Sequence, residues 1–405
     1  MKNFTSLFSL VLVLSFGHAQ AIYVQGNNEV VARTLRFKSG YPFKEGFSKI
    51  EINGKFGFLD KSGKLAIACK FDNVSDFSEG LAVVRQGSEY NYINTSGESI
   101  AQQSFDYAEP FNGDRGLVRL NGNFGYIDKN GQMIIEPRFP FAMTFNGDFA
   151  VVTFDNKSGY INRAGELIIT PQYDFALNFS EGKAPVMKNG KWGFIDTEGN
   201  VVIDLAFDFV SNFNDGRASV RKGQKTTFIN ETGKEITDYI FDNVTEFIEG
   251  HALYQKDGEY GILNKKGKIK VSGLEQVSQA SNGSFAFAKN GLWGFMNESG
   301  DVIIEPEFEV VGDFNEGLAT IQKDGKFGYI NETGHIVIMP MYDSASEFSD
   351  GRAAVNLAGS FYFLDQNGYE TLSLKIENSK SGESVVVHVN REILPFSHDS
   401  RVISE

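Results

Sequence analysis

The chain of 405 residues holds one cysteine and five histidines. A single thiol, Cys69, excludes an internal disulfide, and none stands beside the leader to take a lipid. His18, His251, His335, His388 and His398 are scattered and match no metal spacing such as H-E-x-x-H, and no G-x-S-x-G nucleophile phrase occurs. Basic charge is also scarce: 38 lysines and arginines face 52 acids, a net charge of −14. That balance repels phosphate backbones and anionic headgroups and argues against nucleic acid as a partner. What is present, 41% apolar and 13% aromatic residues, is enough to bury a large core.

Beyond the first twenty-odd residues no stretch is long and apolar enough to cross a bilayer. At the start, Lys2 precedes an almost wholly apolar run from Phe4 to Phe16, and small residues follow at Gly17, Ala19 and Ala21. This reads as an export signal over residues 1–21, cleaved after Ala19 or Ala21. About a dozen apolar residues are too few for a core of ~30 Å, which needs ~20, so an uncleaved anchor is the weaker reading. The expected location is outside the cytoplasm, in the periplasm or at the cell surface.

The remainder repeats itself. From Gly193, steps of 34 reach Gly159, Gly125, Asn91 and Gly57 backwards and Thr227 and Gly261 forwards, and a step of 33 then leads to Gly294, Gly328 and Tyr362, ten copies in all. Three residues beyond each position comes Asp or Asn, and three later a glycine, as in Asp196 to Gly199 and Asn331 to Gly334. An aromatic–acid pair follows in most copies (Phe71-Asp72, Phe105-Asp106, Tyr173-Asp174, Phe207-Asp208), with a phenylalanine six residues on (Phe77, Phe111, Phe179, Phe213). Each copy carries its own aromatic set.

Glycine-rich copies with β-branched runs such as Val201-Val202-Ile203, and without a sustained 3.6-residue period, predict strands rather than the helices that a 34-residue period also suits. One copy reads as strands through "GLAVV", "WGFID" and "VVI", with a tight turn at "TEG". In the [DN]-x-x-G phrase the Asp or Asn side chain accepts backbone amides and the glycine takes a positive φ. A row of calcium loops is the rival, but six of the ten copies carry neutral Asn there. A glycine in mid-strand, such as Gly193, implies a close approach or a bulge. With aromatics on both sides, it is expected to leave room for a ring from the neighbouring copy.

"KWGFIDTEG" (Lys191 to Gly199), "LWGFMNESG" (Leu292 to Gly300) and "KFGYINETG" (Lys326 to Gly334) resemble the bacterial WG repeat proteins, typified by K-W-G-[FY]-I-[DN]-x-x-G. Phe replaces Trp in several copies, and the glycine is lost at Asn91, Thr227 and Tyr362. The resemblance covers about Tyr41 to Gly368 and implies an exported binding protein; it brings no catalytic residues and no cofactor.

One copy cannot bury enough apolar surface to fold alone, so the copies must stack. The expected organisation is an N-terminal cap over residues 22–40, ten β-repeats over 41–369 and a C-terminal β cap over 370–405, with strand-like "LSLKIE" and "SVVVHV" in the tail. The expected fold is all-β, an open superhelical, solenoid-like array of ~34-residue repeats, because propeller blades commonly take four strands and ~40 to 50 residues; a closed β-propeller is the alternative. The function expected is non-enzymatic: a scaffold binding a protein or a cell-envelope ligand, alternatively a glycan or peptide receptor using exposed aromatics among Tyr23, Tyr41, Tyr92, Tyr107 and Tyr254. A hydrolase is the third class: acid pairs such as Glu305 and Glu307 share a strand face, but 52 carboxylates make such pairs inevitable. Where copies depart from the pattern, the candidate binding residues are Asp114, Arg115, Asp148, Arg221, Lys222, Lys225 and Asn282. No cofactor or metal is expected.

Intact-mass measurement of the chain recovered from outside the cytoplasm should show the loss of residues 1–19 or 1–21. A full-length mass would mean an uncleaved anchor.

Overall fold

In the fifth copy, Ala184–Lys188, Lys191–Ile195 and Val201–Phe207 form the three expected strands. A fourth strand precedes them, only two residues long, Phe175–Ala176. The computed structural model describes residues 41–369 with side chains except at 52–53, 62–63, 280–282 and 359–361, together with the backbone of strands Gln20–Gln25, Glu29–Thr34, Phe37–Lys44, Leu374–Glu377 and Ser384–Val387. Each copy is one antiparallel meander, and the ten sheets are numbered here as blades 1 to 10 in chain order, from Phe37–Lys44 to Ser360–Leu364.

Adjacent blades share their cores. At every seam but that of blades 7 and 8, where Ile262 stands instead, the ring after the mid-strand position packs on the equivalent phenylalanine of the next blade: Phe194 on Phe213 at 4.9 Å between centroids, Tyr126 on Phe145 at 4.8 Å, Tyr329 on Phe348 at 4.8 Å. Such a contact contributes about 1 kcal/mol beyond the area it buries. Where the ring is tyrosine, its hydroxyl donates to a carbonyl of the next blade, Tyr126 to Met143 O at 2.7 Å and Tyr329 to Ser346 O at 2.8 Å. Burial drives these phenols far above their ordinary pKa, so they remain donors.

Blade 10 meets blade 1 through the same contacts. Phe363 packs on Phe43 at 5.1 Å, Gly46 N donates to Asp350 Oδ2 at 2.7 Å, and Phe43, Ile50, Leu59, Ala354 and Phe363 form one buried cluster. The ten sheets thus close into a ring resembling a β-propeller, and the open superhelical array is corrected to its alternative. The physical reason is the two-residue strand: it completes a four-stranded blade within 34 residues, so the short repeat does not preclude closure. A closed ring also has no free ends. The boundary expected at residue 40 falls inside strand Phe37–Lys44 of blade 1, while Gln20–Gln25 with Glu29–Thr34, and Leu374–Glu377 with Ser384–Val387, form two separate antiparallel ribbons.

The mid-strand glycine serves its own blade rather than the next. A Cβ on Gly193 would lie 2.5 Å from the carbonyl oxygen of Ile203 and 2.7 Å from the Asp204 carbonyl, both backbone atoms of the neighbouring strand. The cause is a bulge: Trp192 pairs with Phe207 and Phe194 with Ile203, so two steps on one strand face four on the other. The expectation of room for a neighbour's ring is therefore corrected. The copy-to-copy glycine is the one in the turn, since Gly199, at φ 87°, would place a Cβ 3.3 Å from the Ile169 side chain of the preceding blade. Its Asp196 behaves as expected, Oδ1 accepting Glu198 N at 3.1 Å and Asn200 N at 2.8 Å.

The three lost glycines fall in the three blades with three-stranded sheets: blade 2 (Asn73–Val74, Leu81–Gln86, Glu89–Asn94), blade 6 (Phe209–Val210, Arg217–Lys222, Lys225–Asn230) and blade 10. In blade 6, Thr227 Oγ1 donates to Thr237 O at 2.6 Å, and in blade 2, Asn91 bonds Gln103 O and Ser99 Oγ at 3.3 and 2.9 Å. Only isolated bridges such as Thr226 with Phe241 and Tyr90 with Phe105 remain of the last ladder there. A side chain at this position stands in for the displaced strand. Replacing Gly193 with Ala should lower stability by about 2 kcal/mol or more through the backbone clash. An unchanged thermal midpoint in Gly193→Ala would contradict the bulge geometry.

Candidate functional site

A meander places its connections alternately at opposite ends, so the ring has two faces. One carries the tight hairpins between second and third strands and the aromatic–acid crossings; the other carries the long loops after the first strand and the [DN]-x-x-G turns. Most patterned acids are consumed on these faces. Asp208, at the crossing from blade 5 to blade 6, binds Lys191 Nζ of blade 5 at 2.5 Å and accepts Gly223 N of blade 6 at 2.7 Å. On the loop face, Glu79 accepts Gly113 N at 2.6 Å and Asp215 accepts Gly250 N at 2.7 Å, each from the next blade. These clasps are structural, and what departs from them is the remaining surface.

The candidate residues split between the faces. On the loop face, Asp114 and Asp148 stand one position later than the clasping acids, and Arg163 joins them: it pairs with Asp114, approaches Asp148 at 3.4 Å and donates to Gly147 O at 2.7 Å. Arg115 also bonds Asp114, at 2.8 Å. Sequence reasoning missed Arg163, whose signal was the only arginine directly after the Asp or Asn of a turn phrase. On the hairpin face of blade 6, Arg221 lies over the Phe209 ring at 5.4 Å, Lys222 over Phe207 and Tyr239 at 5.1 Å each, and Lys225 pairs with Asp242 at 2.5 Å. The structure does not bring the two groups together, and Asn282 lies outside the described residues. Of the histidines, His388 and His398 also lie outside them, and His251 pairs with Glu298 at 3.0 Å.

An arc of exposed rings runs through blades 3 to 6. The leading residue of the two-residue strand is Tyr107, Phe141, Phe175 and Phe209 there, 36%, 44%, 61% and 48% exposed, whereas blades 2, 7, 8, 9 and 10 hold Asn73, Asn243, Gln276, Val310 and Ser344. Tyr92 and Tyr254 are buried and so are not the exposed aromatics the sequence allowed, while the side chain of Tyr23 lies outside the described residues. At the start of the arc a groove of about 580 Å³ is lined by Asp106, Tyr107, Glu109, Arg119, Phe124 and Phe141, and reaches Asn178 of blade 5. A smaller hollow of about 160 Å³ lies by Tyr90, Asn91 and Ser99, beside the shortened ladder of blade 2. Among the described residues no group of three or more His, Cys, Asp or Glu is arranged to hold a metal ion, and no helix is long and apolar enough to cross a membrane.

Ten small antiparallel sheets in a ring, each repeating the same interfaces, define an all-β repeat protein of propeller-like form. The chain belongs to the family described as WG containing repeat, which matches it at residues 56–90, 92–124, 124–157, 159–192, 192–225, 227–260, 293–327 and 327–359. No curated protein matches the chain in sequence. Among solved structures, a eukaryotic initiation factor is similar over 75% of this chain and 95% of its own, at 10% identity and a TM-score of 0.48. Hsv2p of Kluyveromyces lactis is similar over 61% and 96%, at 11% identity and 0.31. The extracellular domain of a putative one component system from B. thetaiotaomicron is similar over 92% and 61%, at 11% identity and 0.27. Likeness at these levels carries no inference about activity.

The clasps have a pH signature. The Lys191 ammonium and then the Gly223 amide hold the Asp208 carboxyl below its ordinary 3.8, and the same arrangement lowers Asp72, Asp174, Asp242 and Asp343. A carboxyl whose folded pKa is depressed contributes stability that is present above the unfolded value and lost as pH falls through the folded one. The thermal midpoint should therefore change little from these groups between pH 7 and 5 and decline below about 4, gently because each clasp is solvent-exposed. Asp208→Asn should flatten that fall; an identical acid limb in the variant would remove the clasp from the account.

Proposed function

We propose that the protein is a non-enzymatic scaffold, exported from the cytoplasm, that binds a partner in the periplasm or at the cell surface through the arc on blades 3 to 6. The observation that carries this is the confinement of exposed aromatics at one repeat position to four consecutive blades. A periodic core requires no such arc, because the residues behind it, such as Ala142 and Ala176, already fill the interface. Clustered exposed rings are a costly surface unless something covers them. The occupation of most repeated acids by lysines and amides supports a non-catalytic reading, since acid–base catalysis needs a carboxyl free to exchange protons with a substrate.

The test immobilises the mature ring and measures retention of cell-envelope material. The double variant Phe175→Ser, Phe209→Ser should retain at least fivefold less, and Asp148→Ala on the opposite face should retain as much as the parent. Both variants alter exposed side chains, and unchanged circular dichroism would show that the fold persists. Equal retention by parent and double variant would overturn the arc as the binding surface.

A further inference from the structure

Resting on the reading of the arc as a binding surface, we infer that the groove on blades 3 to 5 binds a neutral carbohydrate chain. Four rings follow one another into it: Tyr90 and Tyr107 at 5.7 Å, Tyr107 and Phe124 at 6.3 Å, Phe124 and Phe141 at 6.0 Å. The rings supply apolar faces for the C–H faces of a sugar. This continuous series is one requirement of a sugar site; the other is a set of donors and acceptors at its margin that the protein itself has not used.

The repeat makes the second requirement visible. At five crossings the acid has an ammonium partner, as Asp174 has Lys157 and Asp208 has Lys191, whereas Glu275 and Glu309 keep only backbone amides among the described residues. At Asp106 the partner position holds Glu89, and among the described residues Asp106 keeps only the Gly122 amide, at 3.1 Å on Oδ2. Its other oxygen is an open acceptor on the groove. Arg119, across the strand pair from Tyr107, lies 5.8 Å over Phe124 and has no acceptor among the described residues, so its guanidinium donors are open as well. Glu109 takes the Tyr107 hydroxyl at 3.0 Å on Oε1 and offers Oε2. Asn178 has an unpartnered buried carbonyl oxygen, but so does Asn212 one blade on, so that feature belongs to the repeat and not to the ligand.

Charge selects among polar ligands. Asp106 and Glu109 together repel phosphate, sulfate or uronate groups, and Arg119, already over Phe124, repels a lysine or arginine side chain from that ring. A hydroxyl both donates and accepts, so it suits open carboxylate oxygens and open guanidinium donors alike. Neutral saccharides combine such hydroxyls with an apolar face.

Saturation-transfer NMR and titration calorimetry on the full mature chain would use neutral hexasaccharides of glucose, mannose, xylose and N-acetylglucosamine, with hexagalacturonate and hexalysine as charged probes. At least one neutral hexasaccharide should bind, with affinity at least tenfold weaker in Tyr107→Ala and in Phe141→Ala and unchanged in Met339→Ala, an exposed site on blade 9. Binding of a charged probe alone, binding indifferent to Tyr107 and Phe141, or no binding at all would overturn the carbohydrate assignment. Those outcomes leave the arc as a surface for another partner, provided the Phe175→Ser, Phe209→Ser variant loses envelope material; if it does not, both readings fall.

Discussion

One ring resting on another, repeated around the molecule, is the contact on which the rest depends. Phe194 on Phe213 and Phe363 on Phe43 are the same interaction at two seams, one between neighbours in sequence and one between the last blade and the first. At the seams between neighbours in sequence the partner ring sits in the loop after a short first strand, which has only to deliver its next blade to the preceding third strand; at the closing seam Phe43 holds the same place within strand Phe37–Lys44. Length is then set by two hairpins and a bulge. This is how so short a repeat makes a complete blade, and why the closing seam needs no exchanged strand.

The bulge explains a second regularity. Seven of the ten copies keep the mid-strand glycine, and the seven four-stranded sheets are those same copies. A bulged fourth strand brings carbonyl oxygens to where a Cβ would stand, so a side chain and a full ladder cannot coexist. Asn91 and Thr227 resolve the conflict in the other direction, using their own polar atoms to bond a strand that no longer pairs.

These relations divide what could be read in the chain from what could not. The turn at Asp196 and Gly199 was legible because its chemistry is local: one side chain, two amides and one positive φ. The strands, the ten copies and the aromatic columns were legible for the same reason. Gly193 was misread because the atoms crowding it come from a bulge ten residues away in its own blade, which spacing does not reveal. Closure was hidden more deeply, since equal copies give equal contacts whether the array closes or not. Among the candidate residues, Asp114, Arg115 and Asp148 were found as departures from a pattern, and they do converge, through Arg163. Of the arc only Tyr107 was among the aromatics read as exposed; Phe141, Phe175 and Phe209 were missed because they sit in a column whose meaning lies in exposure, and aromatic columns ordinarily signal core.

A regular ring spends its polar groups on itself. Asp208 illustrates the economy, with one carboxylate oxygen for the blade behind and one for the blade ahead. Function on such a scaffold must therefore arise where a partner is missing, and the substitution that removes a lysine matters as much as one that adds a ligand-binding group. Glu89 in place of lysine leaves Asp106 with an unclaimed oxygen, while the bonds that maintain the fold are kept by the Gly122 amide and by the rings behind it. The same exchange recurs with Glu259 beside Glu275, but there the Asn290 and Gly291 amides take both carboxylate oxygens. Beside Tyr107, Phe124 and Arg119 it opens an acceptor onto an aromatic groove, and that coincidence makes blades 3 to 5 the part of the ring whose chemistry is directed outward.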